Sequence, residues 1–165
     1  MRVLGIDPSL QSTGFGIIES SGGEYLSVGY GTINPSPRLP FHQRLHMIES
    51  EIEKIIGTYG PVEAAIENPF HAQNVKTALT LGQVRGAILV ALAARRCELH
   101  EYSALEIKKA VTGYGRADKS QVQVMVRALL RIDDDDMASD ASDALAAAIC
   151  HLNSRIFREK LAESG

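Results

Sequence analysis

The sequence predicts a mixed α/β fold, one five-stranded sheet with helices on both faces. Three observations carry this reading. Three strand-like runs fill the first 33 residues and are joined by short turns. From residue 41 to 102, helical and strand-like segments alternate, and from 103 onward only helical patterns remain. Hairpin-length links make strands one to three antiparallel, whereas a helix between strands returns the chain in the parallel sense, so strands one, four and five run parallel.

The elements follow in order. Residues 2–6 are an apolar run stopped by the turn signal Asp7-Pro8-Ser9. Residues 13–19 form a less regular second strand. Ser20-Ser21-Gly22-Gly23 turns the chain into a third at 24–33. After a proline-containing loop, Phe41, Leu45, Ile48, Ile52, Ile55 and Ile56 recur at helical spacing. A short strand at 62–66, a long helix at 74–95 and a fifth strand at 97–102 come next. Helices near 103–111, 119–131 and 140–157 complete the list. No repeat or linker divides the chain, so residues 1–165 are expected to form one domain, with roughly the last ten residues frayed.

Composition excludes several classes. The chain is 45% hydrophobic and 22% charged, ordinary for a globular protein, with a net charge of −3 that gives no global sign of nucleic-acid binding. The longest uncharged apolar run, Ala87 to Ala94, lies between Arg85 and Arg95, short of the ~20 residues of a membrane span, and Asp7 comes too early for a signal peptide. A cytoplasmic location without a membrane is expected. Cys97 and Cys150 lack ligand spacing and read as buried free thiols, with a disulfide as the alternative.

Four acids carry the chemistry. Asp7 ends the run Val3-Leu4-Gly5-Ile6, Glu67 ends Ala64-Ala65-Ile66, and Asp140 and Asp143 open the stretch Ala144-Leu145-Ala146-Ala147-Ala148-Ile149. Singly, each has a plain explanation as a turn or first-turn acid. Together they are expensive, because a carboxylate at the tip of a buried strand needs a cation or strong donors. No basic residue adjoins them, and all-oxygen donors without His or Cys favour Mg²⁺ or Mn²⁺. Parallel first and fourth strands would set Asp7 beside Glu67, and three-residue spacing puts Asp140 and Asp143 on one helix face. Such a cluster can hold two metal ions for phosphodiester chemistry. The run Asp133 to Asp136 reads instead as a solvated loop.

Other features are open between two readings. Ala78, Gly82 and Gly86 make a bare stripe that packs either on the sheet or on another subunit. Phe70, beside Pro69, is either a core anchor or a base-stacking residue. His71 reads as polar lining, and His42 and His46 as a solvated helix face. Segment 105–131 holds Lys108, Lys109, Arg116, Lys119, Arg127 and Arg131 against Glu106 and Asp118, a local basic patch suited to phosphate.

Leu4-Gly5-Ile6-Asp7-Pro8, Ala65-Ile66-Glu67, Leu81-Gly82-Gln83 with Arg85-Gly86, Asp118-Lys119-Ser120-Gln121-Val122 and Ser139-Asp140-Ala141-Ser142-Asp143-Ala144-Leu145-Ala146 stand in collinear order. They closely resemble the bacterial RuvC family of Holliday junction resolvases, over roughly residues 2–152. The resemblance implies a ribonuclease H-like fold in which Asp7, Glu67, Asp140 and Asp143 are catalytic metal ligands for two Mg²⁺ ions, with Mn²⁺ able to substitute. It implies catalytic help from Lys119 and DNA contacts from Phe70, Asn74, Lys108, Lys109, Tyr114, Arg116 and Lys119. The Gly113-Tyr114-Gly115 turn would close over DNA. It also implies a homodimer joined through Ala78, Gly82 and Gly86 that nicks two strands of four-way junction DNA, leaving 5′-phosphate and 3′-hydroxyl ends, in recombination and repair beside RuvA and RuvB.

Two rivals stand against a nuclease. Asp7 followed by Ser12-Thr13-Gly14 also resembles the phosphate-binding turn of sugar-kinase and actin-like ATPases, although Pro8 and Ser9 stand where those want glycine. A non-catalytic nucleic-acid scaffold would not need four acids. A related nuclease acting on RNA is a third possibility.

Overall fold

The computed structural model describes residues 1–68 and 74–163, with side chains through Arg158. Among the described residues, ten elements occur in the predicted order: β1 (Arg2–Asp7), β2 (Thr13–Ser21), β3 (Glu24–Ile33), α1 (Phe41–Tyr59), β4 (Glu63–Glu67), α2 (Val75–Ala94), β5 (Glu98–Tyr102), α3 (Ala104–Thr112), α4 (Lys119–Leu130) and α5 (Ser139–Glu163). The sheet order is β3-β2-β1-β4-β5, with β2 antiparallel to both neighbours and β1, β4 and β5 parallel.

Alternation along the strands explains why both faces are covered. In β1, Leu4 and Ile6 face one side with Ala64 and Ile66 of β4, while Val3 faces the other with Ala65. The first side packs on α1 (Ile48, Ile52, Ile55, Ile56) and α2 (Val84, Ile88, Ala91, Leu92). The second packs on α3, α4 and above all α5, whose Leu145 to Cys150 are buried. A sheet apolar on both faces needs such cover. Cys97 and Cys150 fall in the clusters on opposite faces and are free thiols, so the disulfide alternative fails. Burial pushes Cys97 up to about 11 and Cys150 up to about 12.

Local chemistry sets the element ends. Gly22 and Gly23 both have positive φ (60° and 86°), as a tight hairpin between twisted strands requires. α3 and α4 each start in a capping box, Ser103 with Glu106 and Asp118 with Gln121. α5 runs to Glu163 rather than stopping near 157, because no glycine or proline interrupts Arg155 to Glu163.

Candidate active site

Register brings the acids together. Ile6 pairs with Ile66 across parallel β1 and β4, so Asp7 and Glu67 leave the sheet side by side. α5 then crosses the same strands, and its seat is cut by glycines. A Cβ on Gly5 would lie 1.8 Å from the Ala144 carbonyl oxygen, and one on Gly14 would lie 1.9 Å from that of Asp140. Gly16 would likewise meet Leu145. Only bare backbone on β1 and β2 lets the first turns of α5 descend this far, which carries Asp140 and Asp143 down to Asp7. The sequence reading missed these positioning residues; the signal was glycine inside strands opposite an alanine-rich helix.

Carboxylate oxygens of Asp7, Asp140 and Asp143 all lie within 4.8 Å of one another. Glu67 stands at the edge of this trio rather than inside it, lining one cleft with Asp7 and another with Asp143. Burial, then the charges of Asp143, Asp140 and Glu67, raise Asp7 to about 7, against only a partial offset from Lys119. Glu67 is raised too, by burial and by Asp143. Lys119 Nζ sits 2.6 Å from Asp143 Oδ2. Burial opposes its charge, but that contact and the fields of Asp7 and Asp140 raise its pKa overall. Among the described residues, Lys119 contacts one of the four acids and Lys108 acts on Glu67 only through its field, so Asp7 and Glu67 stay raised and the site is not electrostatically satisfied. The donors are all carboxylate oxygens, the set that fits a hard divalent cation.

The scaffold holds the backbone of Glu67 and of the turn that follows Asp7. Arg85 of α2 donates from Nη1 to the Glu67 carbonyl (3.0 Å) and from Nη2 to Glu101 Oε1 (2.5 Å), a clamp the sequence did not reveal. Thr13, fully buried, donates its hydroxyl to Ser9 O (2.6 Å) and so closes the turn after Asp7. That hydroxyl is thereby committed to the turn and unavailable to a nucleotide phosphate, which counts against the ATPase reading.

The remaining expected residues separate. Lys108 and Lys119 line a cavity of about 260 Å³ together with Glu67 and Asp143. Lys109, Tyr114 and Arg116 are exposed on the neighbouring surface. Asn74 caps α2, its Oδ1 accepting from Thr77 N at 2.9 Å. Arg127 does not join the basic face: it donates to Asp135 Oδ1 (2.6 Å) and to Asp134 O. Asp134 in turn accepts from Tyr30 Oη (2.9 Å), so the run Asp133 to Asp136 is solvated at Asp133, Asp135 and Asp136, as expected, and tethered through Asp134. His42 is exposed and His46 pairs with Glu49, as on a solvated face. Phe70 and His71 lie outside the described residues.

The bare stripe points away from the sheet. Ala78 and Gly82 are exposed, and Cβ atoms on Gly82 or Gly86 would meet nothing within 4 Å, so packing on the sheet is ruled out. Val75, Leu79 and Val90 extend this face and are each more than 60% exposed. By length and hydropathy alone α2 could cross a membrane. Its inner residues Val84, Ile88, Ala91 and Leu92 are however buried in the core and Arg85 is locked to β4 and β5.

Comparisons with known proteins converge. The family described as crossover junction endodeoxyribonuclease RuvC matches residues 3–151. Proteins of that name from Halothermothrix orenii and Bordetella pertussis are 44% and 47% identical over 165 residues, covering all of this chain and 100% and 90% of theirs. Among solved structures, T. thermophilus RuvC in complex with a Holliday junction substrate superposes with a TM-score of 0.89 at 28% identity, covering 94% of this chain and 96% of that one.

Proposed function

Since the chain belongs to the RuvC family of endonucleases, we propose that it is the Mg²⁺-dependent resolvase of four-way DNA junctions, acting in homologous recombination and repair. Residues 1–165 form a single nuclease domain, and the cytoplasm is its place of work. The observation that carries this reading is the convergence of Asp7, Asp140 and Asp143, with Glu67 beside them, at one end of the sheet.

Asp7, Glu67, Asp140 and Asp143 would hold two Mg²⁺ ions, with Mn²⁺ able to replace them. Bound there, the metals supply an activated water and neutralise charge on the phosphodiester. The chain's own residues do the rest. The four carboxylates fix the site relative to the rigid end of the sheet. Lys108 and Lys119 bring positive charge to a phosphate that the acids would otherwise repel, and offset the charge that develops during in-line attack. The products are a 5′-phosphate and a 3′-hydroxyl. Lys109, Tyr114, Arg116, Asn74 and Phe70 extend the contact to DNA, with phosphate contacts supplying affinity.

The outward stripe Ala78, Gly82 and Gly86, with its exposed apolar flanks, supports a homodimer about α2. A two-fold pair of sites suits a substrate with two equivalent strands. Gly82→Leu should then give a folded monomer by sedimentation; an intact dimer would refute the assignment. RuvA and RuvB are the partners implied for branch migration. Cleavage of synthetic substrates tests the whole reading. In Mg²⁺ without ATP, a four-way junction should be nicked in two strands, while linear duplex and an RNA–DNA hybrid survive. Preferential cleavage of the hybrid would redirect the reading to RNA, and an ATP requirement would revive the ATPase.

A further inference from the structure

A groove of about 440 Å³ lies on the side of the acids opposite Lys108 and Lys119, between the loop after β1 and the first turns of α2. Pro8, Ser9, Leu10, Arg44, Lys76 and Thr80 line it, and among the described residues no carboxylate does. It shares Pro8 and Leu81 with the narrower cleft of about 120 Å³ that Asp7 and Glu67 line, so the two openings adjoin. Arg44 reaches in from α1 and donates from Nη2 to the Leu10 carbonyl (2.9 Å). Lys76 is exposed and has no ion-pair or hydrogen-bond partner among the described residues. Two cations without a carboxylate, set directly beside four crowded carboxylates, form the complement of a polyanion that spans both. Ser9 and Thr80 add hydroxyl donors, and Pro8, Leu10 and Leu81 offer an apolar wall for sugar carbons.

We propose that this groove binds the backbone phosphate next to the scissile one on the cleaved DNA strand, with Lys76 and Arg44 as its cationic ligands. The inference rests on the junction-nuclease reading and adds to it. The strand would cross the acids between two positive walls, Lys108 and Lys119 on one side, Arg44 and Lys76 on the other. Repulsion between acids and DNA is thereby balanced from both directions, and the phosphate to be cut is placed by its neighbour as well as by the metals.

Lys76 carries the test, because Arg44 also supports the loop after Asp7. Binding of a fixed-sequence four-way junction to the full chain is measured by anisotropy in metal-free buffer over a KCl series. Lys76→Ala should weaken binding about tenfold and flatten the log–log salt slope by about one, the signature of one lost phosphate contact. Lys54→Ala, which removes a surface charge paired with Glu51 on α1, should do neither. Replacing each phosphate flanking the cut with a neutral methylphosphonate should weaken wild type at one of the two positions and weaken Lys76→Ala clearly less there, since only Arg44 remains to contact that phosphate. Wild-type affinity and slope in Lys76→Ala, or equal losses in Lys54→Ala, would overturn the inference alone. A wild-type protein that bound no junction would instead overturn the function on which it rests.

Discussion

Strand β4 begins and ends on a glutamate, and the two sit in opposite electrostatic settings. At its start, Glu63 is paired on both oxygens: His151 Nε2 lies 2.5 Å from Oε2, and Arg155 contacts Oε1. His151, fully buried, is held on its other nitrogen by Tyr102 Oη at 2.8 Å. Burial pushes Glu63 up, but the His151 and Arg155 hydrogen bonds outweigh it and hold the carboxyl below its usual range. At the other end, burial and the charge of Asp143 raise both Glu67 and its neighbour Asp7, with Asp140 and Glu67 adding to the rise of Asp7. The same strand and the same helix α5 serve both ends. One end completes its charges within the chain and the other leaves them for something from outside. On the proposed reading that contrast points to the cutting end of the sheet more sharply than the acids' identity does, because a carboxylate that awaits a cation is left unsatisfied within the chain and a structural one is not.

The largest expected effect comes from the seat of α5, on which both ends depend. Gly14→Ala puts a methyl 1.9 Å from the Asp140 carbonyl oxygen, so helix and strand must separate. Thermal melts should show a loss of about 3 kcal/mol or more, and displaced acids should slow junction nicking about a hundredfold. Unchanged stability would mean the close approach is not what positions the acids.

The paired end should behave as a structural element. Glu63→Gln removes the carboxylate charge that Arg155 contacts and weakens the hydrogen bond to His151, and should cost about 1–3 kcal/mol, while cleavage at saturating protein stays near wild type. The sign of the pH dependence follows from a depressed carboxyl. Stability from Glu63 is present above the ordinary value of 4.5 and is lost as pH falls through the lower folded value. Acid titration of the variant should lack that loss.

Asp7 should show the reverse sign and a smaller effect. Its folded value of about 7 exceeds the usual 3.8, so the folded state binds the extra proton and stability falls as pH climbs from about 4 to about 7. Asp7→Asn should remove this slope and, in metal-free buffer at pH 8, stabilise the fold by on the order of 1–3 kcal/mol. A destabilised Asp7→Asn at that pH would mean the four acids do not repel one another in the folded state.

Much of this was legible in the sequence, and the exceptions share a cause. Apolar periodicity gave all ten elements, since strand and helix periods survive in a single chain whenever one face is buried. The four acids were legible because apolar runs end on them. Whatever depends on partners far along the chain was not. Glu63, His151 and Arg155 are 88 and 92 residues apart and follow no local pattern. Arg127 looked like part of a basic surface until Asp135 claimed it, and Asp134 looked solvated until Tyr30 reached it. The Arg85 clamp on a backbone carbonyl leaves no mark on composition at all.

The central claim is that the unsatisfied end of the sheet is the cutting site. Single-turnover cleavage of a four-way junction by Asp7→Asn, at saturating protein in Mg²⁺, tests it most directly. Nicking should fall by on the order of a thousandfold or more while junction affinity holds or tightens, because the change removes a metal ligand and a negative charge that faces phosphate. Nicking at a near wild-type rate would contradict the claim, since Asp7 would then be no part of the catalytic site.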